Sequence, residues 1–140
     1  MAWGKRVSYT IDYQDGGFII ALKGNITLDE LNLANGDIHG HQYFDAHHFQ
    51  IVNLLDASLV SMSQEDILIP TAIDYVASKT RQNVKMAIVA QQPHSLQLAE
   101  YFIKSARDMN IPWKIKIFPE LQAALLWAKK WIAALFVQPP

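Results

Sequence analysis

The sequence predicts an α/β fold in a single domain: a five-stranded mixed sheet, with an N-terminal hairpin and later strands parallel, flanked by about four helices. Three observations lead there. Two runs near the N-terminus alternate apolar and polar residues around a glycine-rich turn. Two later runs, Ile51–Leu55 and Val84–Ala90, are apolar on both faces apart from Asn53 and Lys85, as strands covered on two sides are. Segments with helical periodicity and cap residues separate and follow them, and such alternation requires parallel pairing through right-handed crossovers.

In order, Val7, Tyr9, Ile11 and Tyr13 alternate with Ser8, Thr10 and Asp12, the period of a strand with one buried face. Gln14-Asp15-Gly16-Gly17 supplies turn chemistry, since glycine takes positive φ without steric cost. Phe18–Leu22 then resumes as the antiparallel partner. Thr27 with Glu30 is the reciprocal capping signature of a helix start. Leu28, Leu31, Ala34 and Ile38 give that helix its apolar stripe, and Gly36 and Gly40 place its end near Ile38. Residues 39–49 read as a short turn or loop carrying His39, His41, His47 and His48.

Ile51–Leu55 follows as the central strand. Ser63 followed by Asp66 is a second cap. Pro70 leaves two solutions, a kinked helix or a separate turn after which Pro70 opens the main helix. Ile69, Ile73, Val76 and Ala77 are its expected buried face. After Val84–Ala90, Pro93 opens a helix to about Met109, with Leu96, Ala99, Ile103 and Ala106 on one side and Leu98 and Phe102 widening the stripe. Asn110 closes it in the left-handed conformation. Trp113, Ile115 and Ile117 alternate with Lys114 and Lys116, an edge strand blunted by lysine. Pro119 and Glu120 start the last helix, Leu121 to about Phe136. The expected core spans about 8–132, with 1–6 and 137–140 as tails.

Composition narrows the function classes. The 140 residues carry a formal net charge of −1 without long charge runs, so nothing attracts a polyanion and nucleic-acid binding is not expected. The chain has no cysteine, which removes disulfides, thiol catalysis and thiolate metal sites and fits a reducing compartment. The start, Met1 to Arg6, lacks the apolar segment of a signal peptide. No apolar run approaches the ~18 residues of a membrane span. A soluble, cytoplasmic protein is expected.

With the elements in order, Gly24-Asn25-Ile26-Thr27, Ile51 to Ser58, and Ile117-Phe118-Pro119-Glu120 with Ala123, Ala124 and Trp127 together resemble the SpoIIAA-like group of STAS domains, related to anti-sigma-factor antagonists. The likeness covers roughly residues 8 to 132. Antagonists of this group carry a phosphorylatable serine in a D-x-S-x-x-D-S-S-G pattern after the third strand. Asp56 and Ser58 match its beginning and Ser63 its second serine, whereas Ser61, Met62 and Gln64 replace the second aspartate, first serine and glycine. The resemblance therefore implies a non-catalytic regulatory or protein-interaction domain with a degraded phosphorylation motif. It fits the STAS/SEC14-like branch, whose shape also resembles lipid-carrying CRAL-TRIO domains.

Parallel sheets bind ligands outside the carboxyl ends of their strands. Asp56, Ser58, Ser63, Gln92 and His94 are expected there and are the candidate ligand- or partner-binding residues. Ser63 is a candidate phosphoacceptor, and equally a plain helix cap. Asp56, Ser58 and His94 formally offer a Ser-His-Asp set, but Ser58 lacks the G-x-S-x-G elbow that exposes a nucleophile, so no enzyme is expected. The histidine cluster lacks a diagnostic metal-ligand spacing and reads as solvated surface; neither a metal nor a cofactor is expected.

Leu121, Ala124, Leu125, Ala128, Ile132 and Leu135 stripe the last helix, and Trp127, Trp131 and Phe136 add a second apolar flank. An ordinary surface helix needs one stripe. The surplus makes Trp127, Trp131, Leu135 and Phe136 interface candidates, for a homodimer or a protein partner, against the alternative of burial within the domain. A small apolar ligand or lipid is the other expected cargo, in a cavity near Phe102, Trp113, Trp127 and Trp131.

Overall fold

A computed structural model describes residues 8–131 of the chain. It contains β1 (Tyr9–Gln14), β2 (Gly17–Asn25), α1 (Leu28–His39), a 3-10 turn (Phe44–Ala46), β3 (Phe49–Ser58), α2 (Gln64–Ser78), β4 (Lys85–Val89), α3 (Pro93–Asp108), β5 (Lys114–Phe118) and α4 (Leu121–Ala128). The five strands lie in the order β1-β2-β3-β4-β5. Only the β1–β2 pair is antiparallel. This is the mixed sheet that the sequence predicts, with the lysine-flanked β5 at one edge.

Local chemistry explains the joints. Asp15 (φ 53°) and Gly16 (φ 79°) both take the left-handed conformation, which matches a two-residue hairpin turn to the twist of its strands. Thr27 and Ser63 each close a full capping box, with Glu30 and with Asp66. Asn110, at φ 61°, ends α3 as expected. Gln14 pairs with Gly17 at the end of the hairpin. A Cβ on Gly17 would lie 2.4 Å from the ring of Phe49, so a bare backbone is what lets the ring lie over β2.

Strand alternation sends residues to two cores. Phe18, Ile20, Leu22, Leu54, Met86 and Ile88 face α1, α2 and α3. Phe49, Ile51, Ala87 and Val89 face α4, where Ala124 and Ala128 are fully buried. Between Ala21↔Asn53 and Lys23↔Asp56 the register slips, because β3 inserts one extra residue as a bulge. Asn53 Oδ1 accepts from Leu55 N at 3.1 Å there, satisfying a backbone donor within the irregularity.

Of the two solutions open for Pro70, the structure has the proline inside a continuous α2; it opens no helix. One expectation needs correction: the buried face of α2 is displaced. Ile69 and Val76 are 47% and 67% exposed, and the helix buries Ile67, Pro70, Thr71, Asp74 and Ser78 instead. Thr71 Oγ1 donates to Ile67 O at 2.6 Å and Ser78 Oγ to Tyr75 O at 2.7 Å, so these hydroxyls enter the core already satisfied. The expected helix from Leu121 to about Phe136 is present as α4 (Leu121–Ala128), with helical residues again at 130 and 131; Leu135 and Phe136 lie outside the described residues.

Candidate functional site

The loops at the carboxyl ends of the parallel strands hold the residues singled out from the sequence, but those residues do not form one constellation. Ala57 faces α1–α3, so alternation turns Asp56 and Ser58 toward the opposite side of β3. Asp56 is exposed and lies in register with Lys23. It has no hydrogen bond or ion pair among the described residues. Ser58 Oγ accepts a long contact, 3.5 Å, from Val60 N. His94 stands in the first turn of α3 and donates from Nε2 to Met62 O at 2.9 Å. Gln92 is the N-cap residue of α3 and is exposed, without a side-chain cap bond. Ser58, His94 and Asp56 therefore make no proton relay.

What these groups do build is a fixed β3–α2 loop. Ile26 N donates to Ser58 O at 2.9 Å, Ser61 Oγ donates to Ile26 O at 3.1 Å, and His94 holds Met62. Val60, at 69% exposure, projects from it. Ser63 Oγ accepts from Asp66 N at 3.3 Å while Asp66 Oδ2 accepts from Ser63 N at 2.9 Å. Glu65 and Asp66 fill the first turn of α2, so a phosphate on Ser63 would meet like charges and displace the cap. The geometry gives Ser63 the capping role.

The histidines are not a solvated cluster, which corrects the expectation. His47 is fully buried; its Nδ1 donates to Phe44 O and its Nε2 faces Gln50 Nε2 at 3.1 Å. Burial is the main cause that pushes its pKa down to about 4. His41 stacks on Tyr13 with centroids 5.8 Å apart. His48 stacks on Trp131 at 3.7 Å, and burial, then Arg81, lowers its pKa. His39 Nε2 sits 3.1 Å from Asp74 Oδ1. Among the described residues no group of three or more His, Asp or Glu is placed to hold a metal ion.

Asp74 belongs to a second site that sequence reasoning missed. A cavity of about 100 Å³ lies between the sheet and α1–α3, walled by Leu22, Val52, Leu54, Ile67, Leu98 and Phe102 among others. Asp74, Asn35 and Gln50 are its polar lining residues. Asn35 Nδ2 donates to Asp74 Oδ1 at 3.1 Å. Burial raises the Asp74 pKa, and His39 and Asn35 oppose that rise. Val52 is only partly buried although it sits mid-strand at the centre of the sheet, as a residue bordering a void is. The available signal was the pairing of Asn35 and His39 at i, i+4 on α1, one helical face, with an aspartate among the inward positions of α2.

The cavity is not where an apolar site was expected. Phe102 lines it, whereas Trp113 does not, and Trp127 and Trp131 pack on the opposite face of the sheet. Both rings are engaged within the fold: Trp127 lies 5.4 Å from Phe118 and beneath the Lys85 ammonium, and Trp131 covers Gly16 and His48. The exposed apolar residue of α4 is Leu126, at 65%. No helix among the described residues is long and apolar enough to cross a membrane. Comparison of the sequence with protein-family models and with curated proteins gives no match.

Proposed function

We propose that the protein is a non-catalytic regulatory or protein-interaction domain of the SpoIIAA-like kind, binding its partner through the β3–α2 loop and the adjoining start of α3. The observation that carries this reading is a loop tied down at Ser58, Ser61 and Met62 while Val60 stands 69% exposed. A pre-ordered loop loses little entropy on docking, and an exposed aliphatic side chain supplies an anchor. The absence of a link among Asp56, Ser58 and His94 supports a binding role over a hydrolytic one. Self-association through the exposed side of α4 around Leu126 is part of the proposal, as is a cytoplasmic location suited to a cysteine-free chain. The test is capture from the source cell with Val60→Asp as control: a partner retained by the native chain and lost with the variant is expected. Equal recovery with both chains would refute the loop as the docking element. Light scattering decides the self-association, a clean monomer at high concentration excluding it.

The cavity favours a second reading, carriage of a small apolar ligand. Its volume, about 100 Å³, is smaller than the ~150 Å³ engineered cavity that accepts benzene. As it stands it suits a compact molecule better than an acyl chain.

A further inference from the structure

Protein interiors are close-packed, and a void forfeits the dispersion contacts of its lining. Here the void adjoins a carboxylate that the fold has taken out of water: Asp74 is 3% exposed. A buried charge needs a partner. Among the described residues, the one cation within ion-pair distance is His39, charged only when protonated. Its Nε2 lies 3.1 Å from Oδ1 yet lacks hydrogen-bond alignment. Asn35 also bonds to Oδ1. Oδ2 has no partner among the described residues, and neither has Oε1 of Gln50, whose Nε2 is taken by His47. The cavity thus offers an apolar body beside two acceptors, Asp74 Oδ2 and Gln50 Oε1, that no hydrogen bond among the described residues fills.

Resting on the carrier reading, we propose that this cavity is a binding site for a compact apolar amine, its hydrocarbon part smaller than benzene and its ammonium group hydrogen-bonded to Asp74 Oδ2. The body replaces the missing contacts along Val52, Leu98 and Phe102. The head supplies a donor to Oδ2 and a fixed countercharge, where His39 is charged only when protonated, and Gln50 Oε1 is a further acceptor on the same lining. An alcohol of the same shape satisfies the hydrogen bond without the charge, and a hydrocarbon satisfies neither.

The experiment titrates the full chain with cyclopentylamine, cyclopentanol and cyclopentane, following methyl resonances of Val52, Met86 and Leu98 by NMR. The expected order of affinity is amine, then alcohol, then hydrocarbon, and Asp74→Asn is expected to weaken the amine about tenfold while leaving cyclopentane unchanged. Ala99→Leu, which fills the void from α3, is expected to abolish all three and serves if Asp74→Asn does not fold. Should all three bind equally, with Ala99→Leu still blocking them, carriage stands and recognition by Asp74 is overturned. Should none shift any cavity resonance, carriage itself falls and takes the amine proposal with it.

Discussion

On one face of the sheet, Ala124 and Ala128 of α4 rest on Phe49, Ile51, Ala87 and Val89. On the other, alternate residues of the same strands meet three helices across a cavity, and Asp74, Gln50 and His47 are drawn into the interior. The difference lies in what the helices offer. Alanine lets the α4 backbone approach a surface of medium-sized side chains. The helices α1 and α2 bring Asn35, His39 and Asp74, held together by the Asn35–Asp74 hydrogen bond and the close His39–Asp74 approach, and leave the space above Val52 open. One face is organised by packing, the other by polar contacts around a gap.

The largest expected effects test that contrast through deletion. Phe49→Ala removes a fully buried ring from the packed face and should cost about 3–5 kcal/mol in urea unfolding. Val52→Ala trims a residue already beside a void and should cost about 1 kcal/mol. Equal costs would erase the distinction between the faces.

Next in size is a pH effect confined to the polar face. His47 is neutral in the fold, with Nδ1 donating to Phe44 O and burial holding its pKa at about 4, against an ordinary 6.5. The unfolded chain therefore binds the proton more readily. The stability due to His47 is complete above about pH 6.5 and is lost as pH falls through about 4. The full loss is about 3 kcal/mol. Asp74 acts with the opposite sign: its raised pKa means that its contribution is present at low pH and is lost as pH rises through the folded value. Stability measured against pH for the native chain and His47→Gln separates the two, and the difference should grow between pH 4 and 6.5. A constant difference across that range would contradict the assignment.

The framework of strands, turns and caps was the legible part. The hairpin glycines, the both-faces-apolar strands, the capping boxes at Thr27 and Ser63, and the lysines of β5 all act through neighbouring residues or a fixed period, so sequence alone carries them. The polar face was not. Apolar periodicity on α2 selected Ile69 and Val76, which are exposed, because the inward residues Thr71, Asp74 and Ser78 are polar. They can be buried because Thr71 and Ser78 bond back to their own helix and Asp74 meets Asn35, far off in sequence. The formal set of Asp56, Ser58 and His94 does not converge for a related reason: side-chain alternation around Ala57 turns the first two away from the three-helix face. His47 looked like loop surface because nothing local showed that Phe44 and Gln50 would enclose it.

Filling should keep the ranking seen on deletion, with the packed face again the costlier. Ala124→Leu adds bulk where α4 already touches the sheet and should cost about 1–3 kcal/mol through overpacking. Ala99→Leu adds the same bulk beside the cavity and should leave stability unchanged or raise it. Thermal melts of both variants measure this directly; a loss at Ala99 as large as at Ala124 would mean that the cavity does not accept a side chain.

The smallest effect separates the helices themselves. Ser63 caps α2 through Asp66 N, whereas Glu120 starts α4 without a side-chain cap bond. Ser63→Ala should therefore cost about 1 kcal/mol, and Glu120→Ala within about 0.5 kcal/mol of nothing. Ser63→Asn keeps a capping side chain while removing the hydroxyl, so it should restore most of the loss. The same pair of variants also probes the loop. If Ser63 acts only as a cap, partner capture should survive Ser63→Asn and weaken with Ser63→Ala only as far as the start of α2 frays. Loss of capture with Ser63→Asn at native stability would instead give the hydroxyl a role of its own, in contact or in modification, that the capping geometry does not supply.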